Sequence, residues 1–191
     1  MVSIRRLSIA DTIGSHVALV LPGAGYTAQA PLLYWTSYAL TNAGWDVWGI
    51  DWHADIDEAV RRDMQGFVES ALAQAESVLP GTAELVIAKS FGTFGLPYLV
   101  DREVRAAWLT PILTDPIVAE ALASVSGGEH LGIGGTADPS WRPDLVGSTR
   151  ARLVTVPDAD HSLEVASTDW RVTATGQLRI IDQLVAHLIE P

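Results

Sequence analysis

Three polar residues, Ser90, Asp138 and His161, each follow a short apolar run, and they are the residue types that acyl transfer requires. A serine hydroxyl is a weak nucleophile until a base takes its proton, and imidazole does this near neutral pH. A carboxylate fixes the imidazole tautomer and stabilises the imidazolium. Ser90 lies in Ala88-Lys89-Ser90-Phe91-Gly92, directly after an apolar run and before a helical stretch. A nucleophile on a sharp strand-to-helix turn needs small residues two before and two after it. Gly92 meets that need, and Ala88 supplies the next smallest residue after glycine. The helix expected after Ser90 would aim its dipole and free N–H groups at developing negative charge. Alone, the pentapeptide reads equally well as a turn in which Ser90 only caps a helix.

Asp138 closes Gly134-Gly135-Thr136-Ala137-Asp138-Pro139, and a lone Asp-Pro pair reads as a helix start. His161 lies in Asp158-Ala159-Asp160-His161-Ser162, where a lone histidine reads as surface decoration. The other histidines are placed worse. His16 and His130 open apolar runs at the opposite edge, His187 is on the final helical stretch, and His53 is the remaining rival. Asp115 and Asp160 are the reserve candidates for the acid.

The elements that must position these residues alternate along the chain. Apolar runs at residues 16–21 (HVALVL), 45–50 (WDVWGI), 84–88 (ELVIA), 106–113 (AAWLTPIL), 130–133 (HLGI) and 151–156 (ARLVTV) read as strands covered on both faces. Residues 2–9 add a candidate edge strand. Helical patterns lie between, at 29–43 and at 55–78, the latter opened by an Asp55/Glu58 capping box and closed by Pro80-Gly81. The last helix carries Leu178, Ile181, Leu184, Val185 and Leu188 on one face. Alternating strands and helices predict a doubly wound, mostly parallel α/β sheet of six to seven strands with right-handed crossovers, as one domain over 1–191. Ligands in such sheets sit at the carboxyl ends of the strands, where all three residues fall.

The order Ser, Asp, His, each after a strand, resembles that of the α/β-hydrolase superfamily and differs from the other serine hydrolase orders. The Gly-Thr-Ala-Asp-Pro and Asp-Ala-Asp-His-Ser loops resemble the acid and histidine loops of that family, and the similarity spans nearly the whole chain. The resemblance implies Ser90 as nucleophile, Asp138 as acid and His161 as base. It also implies an oxyanion loop at Leu21-Pro22-Gly23-Ala24-Gly25-Tyr26, with the Phe91 amide as one donor and Ala24 as the other, Gly25 being the alternate. The chain departs from the family at Ala88, at Lys89 and at Pro22, where a histidine is usual. Only residues 114–129 separate the fourth core run from the fifth, so no lid or cap domain is expected. An open site draws specificity from its loops, and Gly25, Tyr26 and Trp141 are expected to contact substrate, with Trp52, His53, Phe91 and Trp170 as further aromatic candidates.

Composition narrows the alternatives. With 12 basic against 23 acidic residues, a net charge of −11 gives no footprint for nucleic acid or an anionic membrane. Forty-eight per cent apolar residues suit a globular chain, and the absence of cysteine removes thiolate nucleophiles and thiolate metal sites. No secretory signal or membrane span is evident, so a cytoplasmic location is expected. Asp51, His53 and Asp55 share one loop without matching ligands elsewhere, so no metal or other cofactor is expected. Two other readings stand beside a serine hydrolase of small esters or thioesters. One is an inert binding protein on the same fold. The other is a nucleotide-binding domain, for which Gly23-Ala24-Gly25 lacks the third glycine.

Overall fold

The central apolar runs become strands because their side chains are buried on both faces of one sheet, whereas the edge runs at 3–6 and 152–156 are only partly covered, the latter against expectation. A computed structural model describes residues 2–7 and 16–189. In chain order the elements are β1 (Ser3–Arg6), β2 (Val17–Leu21), α1 (Pro31–Asn42), β3 (Asp46–Asp51), α2 (Glu58–Arg62), α3 (Met64–Val78), β4 (Ala83–Lys89) and α4 (Leu96–Leu99). β5 (Arg105–Leu109), α5 (Pro116–Ala123), β6 (Glu129–Gly135), α6 (Pro143–Val146), β7 (Arg152–Val156) and α7 (Trp170–Ile189) follow. The seven strands run β1-β3-β2-β4-β5-β6-β7 across the sheet, and every neighbouring pair is parallel except β1 with β3.

The period-two alternation of strand side chains divides the interior into two cores. On one face, Leu19, Leu21, Val86, Ala88 and Trp108 meet Val68 and Leu72 of α3, Leu96 of α4 and Leu122 of α5. On the other, Ala18, Val20, Leu85, Ile87 and Ile133 meet Leu32, Leu33 and Leu40 of α1 and Ile181, Leu184 and Leu188 of α7. The chain steps from β2 outward to β3, crosses back to β4 and then continues in the other direction. The order therefore reverses between β2 and β4, and the crevice of such a sheet opens beyond their carboxyl ends. The loop after Leu21 and the turn at Ser90 lie there.

The structure departs from the sequence expectations at several places. The 55–78 helix is two helices, because Asp57 accepts from Val60 N–H at 2.9 Å and Asp63 from Gly66 N–H at 2.9 Å, each capping its own start. Aspartate side chains compete for backbone donors in this way and divide helices. The 106–113 run stops being strand after Leu109, where Thr110 takes φ 43°. No long helix follows Ser90. A 3₁₀ segment over Ser90–Gly95 leads into the single turn of α4, so free amides rather than a macrodipole face the elbow. In α7, Leu178 faces solvent at 57% exposure and Ile180 takes the buried place instead. The candidate N-terminal strand is Ser3–Arg6, and its Ser8 and Ile9 lie outside the described residues.

Candidate active site

Strand β4 delivers Ser90 to the crevice in a left-handed conformation, φ 51°, that an L-residue adopts only at a cost of about 1–3 kcal/mol. Tight packing enforces the turn. A Cβ placed on Gly92 would stand 2.3 Å from the carbonyl oxygen of Leu21, so only glycine lets the chain pass beneath the end of β2. Gly92→Ala is accordingly expected to cost about 2 kcal/mol or more and to lower activity with it, measured by denaturant unfolding beside an ester assay. Full stability in that variant would show that the elbow has slack. Gly23 brings the 22–26 loop alongside the turn, since a Cβ there would be in ordinary contact with Ser90 Cβ at 3.5 Å.

The loops after β6 and β7 are stitched to each other. Ala137 N–H donates to Ala159 O at 3.0 Å, Thr136 N–H to Val156 O at 3.0 Å, and Asp158 N–H to Thr136 Oγ1 at 2.7 Å. Gly135 permits this approach, because a Cβ there would meet Ala159 O at 1.9 Å. Asp160 organises the histidine loop, its Oδ1 accepting from Ser162 N–H at 2.8 Å and Glu164 N–H at 3.0 Å. Asp115 caps α5 through Ile117 N–H at 3.0 Å. Neither reserve candidate bonds to His161. The non-glycine residues with positive φ among those described are Ser90, Thr110, Asp158 and Leu163, all in loops after β4, β5 and β7. Backbone strain of this kind gathers where a site is held in place.

These loops bring Ser90, Asp138 and His161 into one chain of hydrogen bonds. His161 Nδ1 lies 2.7 Å from Asp138 Oδ2, and His161 Nε2 lies 2.7 Å from Ser90 Oγ. A carboxylate only accepts, so Nδ1 carries the proton and Nε2 is left as acceptor for the Ser90 hydroxyl. Asp138 is completely buried, and its other oxygen accepts from Ser140 N–H at 2.8 Å, while His161 is 40% exposed. The carboxylate is thus shielded and the imidazole reachable from solvent. The remaining histidines are occupied elsewhere. His16 meets Glu84 at 3.0 Å, His130 bonds Trp108 Nε1 at 3.0 Å, and His187 Nε2–H donates to Ala106 O at 3.1 Å. Burial holds His130 and His187 below the usual imidazole range.

His53, the rival base, takes another role. Its Nδ1–H donates to Ala24 O at 2.6 Å, which braces the 22–26 loop. Within that loop Ala24 is half-buried and Gly25 exposed, and no acceptor among the described residues takes either amide. Phe91 is buried in an aromatic cluster, its ring 5.5 Å from that of Trp52 and 6.1 Å from that of Phe67.

Of the residues expected to contact substrate, Trp141 is corrected, while Tyr26 is half-buried in the 22–26 loop. Trp141 is buried, its Nε1–H donates to Thr155 Oγ1 at 2.9 Å, and its ring fills the space that Gly134 leaves beside β6. Tyr26 turns inward, its hydroxyl accepting from Leu32 N–H at 3.0 Å, and burial pushes its pKa up to about 12. Trp52 is likewise interior, whereas Trp170 is 69% exposed and stacks with Arg171. Gly25 is exposed, with open space where a Cβ would stand.

Lys89 shows what the sequence did not convey. It is 1% exposed, and its Nζ donates to Thr110 Oγ1 and to His161 O, both at 2.7 Å, while lying 4.8 Å from the Tyr26 ring centroid. Burial lowers its pKa to about 8, against the opposing pull of Asp138 and Asp160. The one available signal was the alternation Leu85, Ile87, Lys89, which puts the lysine on a core-facing position of β4. Among the described residues no group of three histidine, aspartate or glutamate side chains is placed to hold a metal ion, and no helix is long and apolar enough to cross a membrane.

No protein-family model matches the chain, and no curated protein matches it in sequence. Solved structures do. An α/β serine hydrolase homologue from Coxiella burnetii superposes with a TM-score of 0.66 at 16% identity, covering 98% of this chain and 90% of the other. A serine hydrolase without a lid from Xanthomonas campestris gives 0.59 at 17% identity, with 97% and 86% covered. A dienelactone hydrolase from Anabaena variabilis gives 0.63 at 21% identity, with 94% of each chain covered. The chain therefore has the α/β-hydrolase fold, and the link from β5 to β6 carries only the eight-residue α5 where a lid would stand.

Proposed function

We propose that the protein is a serine hydrolase that cleaves carboxylic esters or thioesters of small substrates through an acyl-enzyme on Ser90. The observation that carries the proposal is the bond from His161 Nε2 to Ser90 Oγ at 2.7 Å, with Nδ1 held by Asp138 Oδ2 at 2.7 Å. In this arrangement Nε2 takes the hydroxyl proton as Oγ attacks the substrate carbonyl. Asp138 stabilises the imidazolium that results. The negative charge on the tetrahedral oxygen falls to the Phe91 amide and to that of Ala24 or Gly25, and each such donor is worth roughly 10²–10³ in rate. The imidazolium then protonates the leaving oxygen or sulfur as its bond to the acyl carbon breaks, so that the alcohol or thiol departs and the acyl group stays on Oγ. Water, deprotonated by the same imidazole, attacks the acyl carbon, and the imidazolium returns the proton to Oγ as the acid departs and Ser90 is restored.

The half-exposed base and the short β5–β6 link leave the site open, which favours small or accessible acyl groups. Among the described residues no element closes over the site to exclude water from the acyl-enzyme, which favours hydrolysis over transfer to another acceptor. A series of p-nitrophenyl esters of two to twelve carbons tests the reading. Turnover is expected, with kcat/KM highest for the short chains. Folded protein inert towards the whole series would instead support a binding protein that kept the fold.

A further inference from the structure

We infer that Lys89 is a positioning residue, whose buried ammonium holds the backbone of His161 and the 22–26 loop in register with the nucleophile beside it. The inference rests on the serine hydrolase reading above. Lys89 and Ser90 are adjacent at the end of β4, and both reach the same histidine. Ser90 Oγ meets the imidazole at 2.7 Å, and Lys89 Nζ donates to the backbone carbonyl of that residue at 2.7 Å. Nucleophile, imidazole, histidine backbone, lysine side chain and lysine backbone thus close a ring. The Ser90–His161 distance is fixed from two sides by a single dipeptide.

The same ammonium ties in two more segments. Thr110, left-handed at the end of β5 and fully buried, accepts from Nζ at 2.7 Å. The Tyr26 ring, anchored by its hydroxyl on the first turn of α1, offers its face at 4.8 Å. An ammonium has three donors and no acceptor; two of them go to oxygen acceptors, and the charge faces the Tyr26 ring. Lys89 has no carboxylate in ion-pair contact among the described residues; the charged groups that act on it are Asp138 and Asp160. A buried cation without such a partner is costly, and an apolar residue would serve packing alone as well or better. Because the ammonium is 1% exposed it does not reach substrate, and its effect passes through His161 and the 22–26 loop.

The test is hydrolysis of p-nitrophenyl acetate by Lys89→Met, which keeps the length of the stem and removes every donor. The variant is expected to lose about 10- to 100-fold in kcat, as displacements near 1 Å at a reacting centre do, with KM changed less than about twofold. Its melting temperature is expected to stay within a few degrees of wild type, whereas a purely structural role predicts falling stability with unchanged kcat per folded molecule. Wild-type kcat in folded Lys89→Met overturns the inference. Should that variant not fold, Thr110→Val removes one anchor at nearly constant volume, with an expected loss of about 3- to 10-fold in kcat; unchanged kcat there overturns the inference as well. Fluorophosphonate labelling separates the two levels. Wild type that takes no adduct removes the hydrolase reading and this inference together, while labelling of Lys89→Met at the wild-type rate removes this inference alone.

Discussion

Replacing Ser90 by alanine is expected to lower ester turnover by roughly 10⁴- to 10⁶-fold, and His161→Ala by a similar factor. In the proposed mechanism Ser90 Oγ forms the acyl bond, and His161 Nε2, 2.7 Å away, takes its proton. Neither works without the other, so the double variant should be hardly worse than either single one. Such non-additivity distinguishes a catalytic unit from two independent contributions to stability. A residual rate above that of water is expected from the Phe91 amide and the 22–26 loop, which both variants keep. The fold should survive, because the Ser90 side chain is only half-buried and its left-handed turn is imposed by Gly92 beneath Leu21. Independent losses that multiply in the double variant would mean that Ser90 and His161 do not act together.

The second large effect is expected at Asp138. Asp138→Asn is expected to reduce kcat by about 10⁴-fold while leaving KM and melting temperature close to wild type. Asp138 is completely buried, and the amide occupies the same volume without charge. Its oxygen can still accept from Ser140 N–H, which Asp138 Oδ1 now does at 2.8 Å. Its nitrogen then faces His161 Nδ1 and donates to it. That bond requires the tautomer with the proton on Nε2, which points a donor at Ser90 Oγ where an acceptor is needed. The loss arises from the tautomer rather than from broken packing, and Asp138→Ala, which also abandons the Ser140 amide, should destabilise the protein in addition. Comparing the melting curves of the two variants with their rates separates these contributions. Retention of full activity in Asp138→Asn would remove Asp138 from the mechanism.

Much of this arrangement was legible in the sequence because strand ends in a parallel sheet all open on one edge. Once the runs ending near Ala88, Ile133 and Val156 are strands, Ser90, Asp138 and His161 must share that edge, whatever lies between. Side-chain direction was not legible. Trp141 and Tyr26 stand in loops beside the site, yet both turn inward, one into the space left by Gly134 and the other onto α1. Periodicity also missed the helix break at Asp63, since a side chain that caps its own backbone leaves the apolar pattern intact. Lys89 and His53 escaped for a related reason. Their partners are the carbonyl oxygens of His161 and Ala24, distant in sequence and present in every residue, so no residue type announces them.

The most direct measurement is mass spectrometry of the intact protein after exposure to a fluorophosphonate, followed by mapping of the modified peptide. A nucleophile activated by His161 should take up a single phosphonyl group, with the adduct on Ser90 and none in Ser90→Ala. Folded wild type that remains unmodified, or an adduct that persists in Ser90→Ala, would contradict the account.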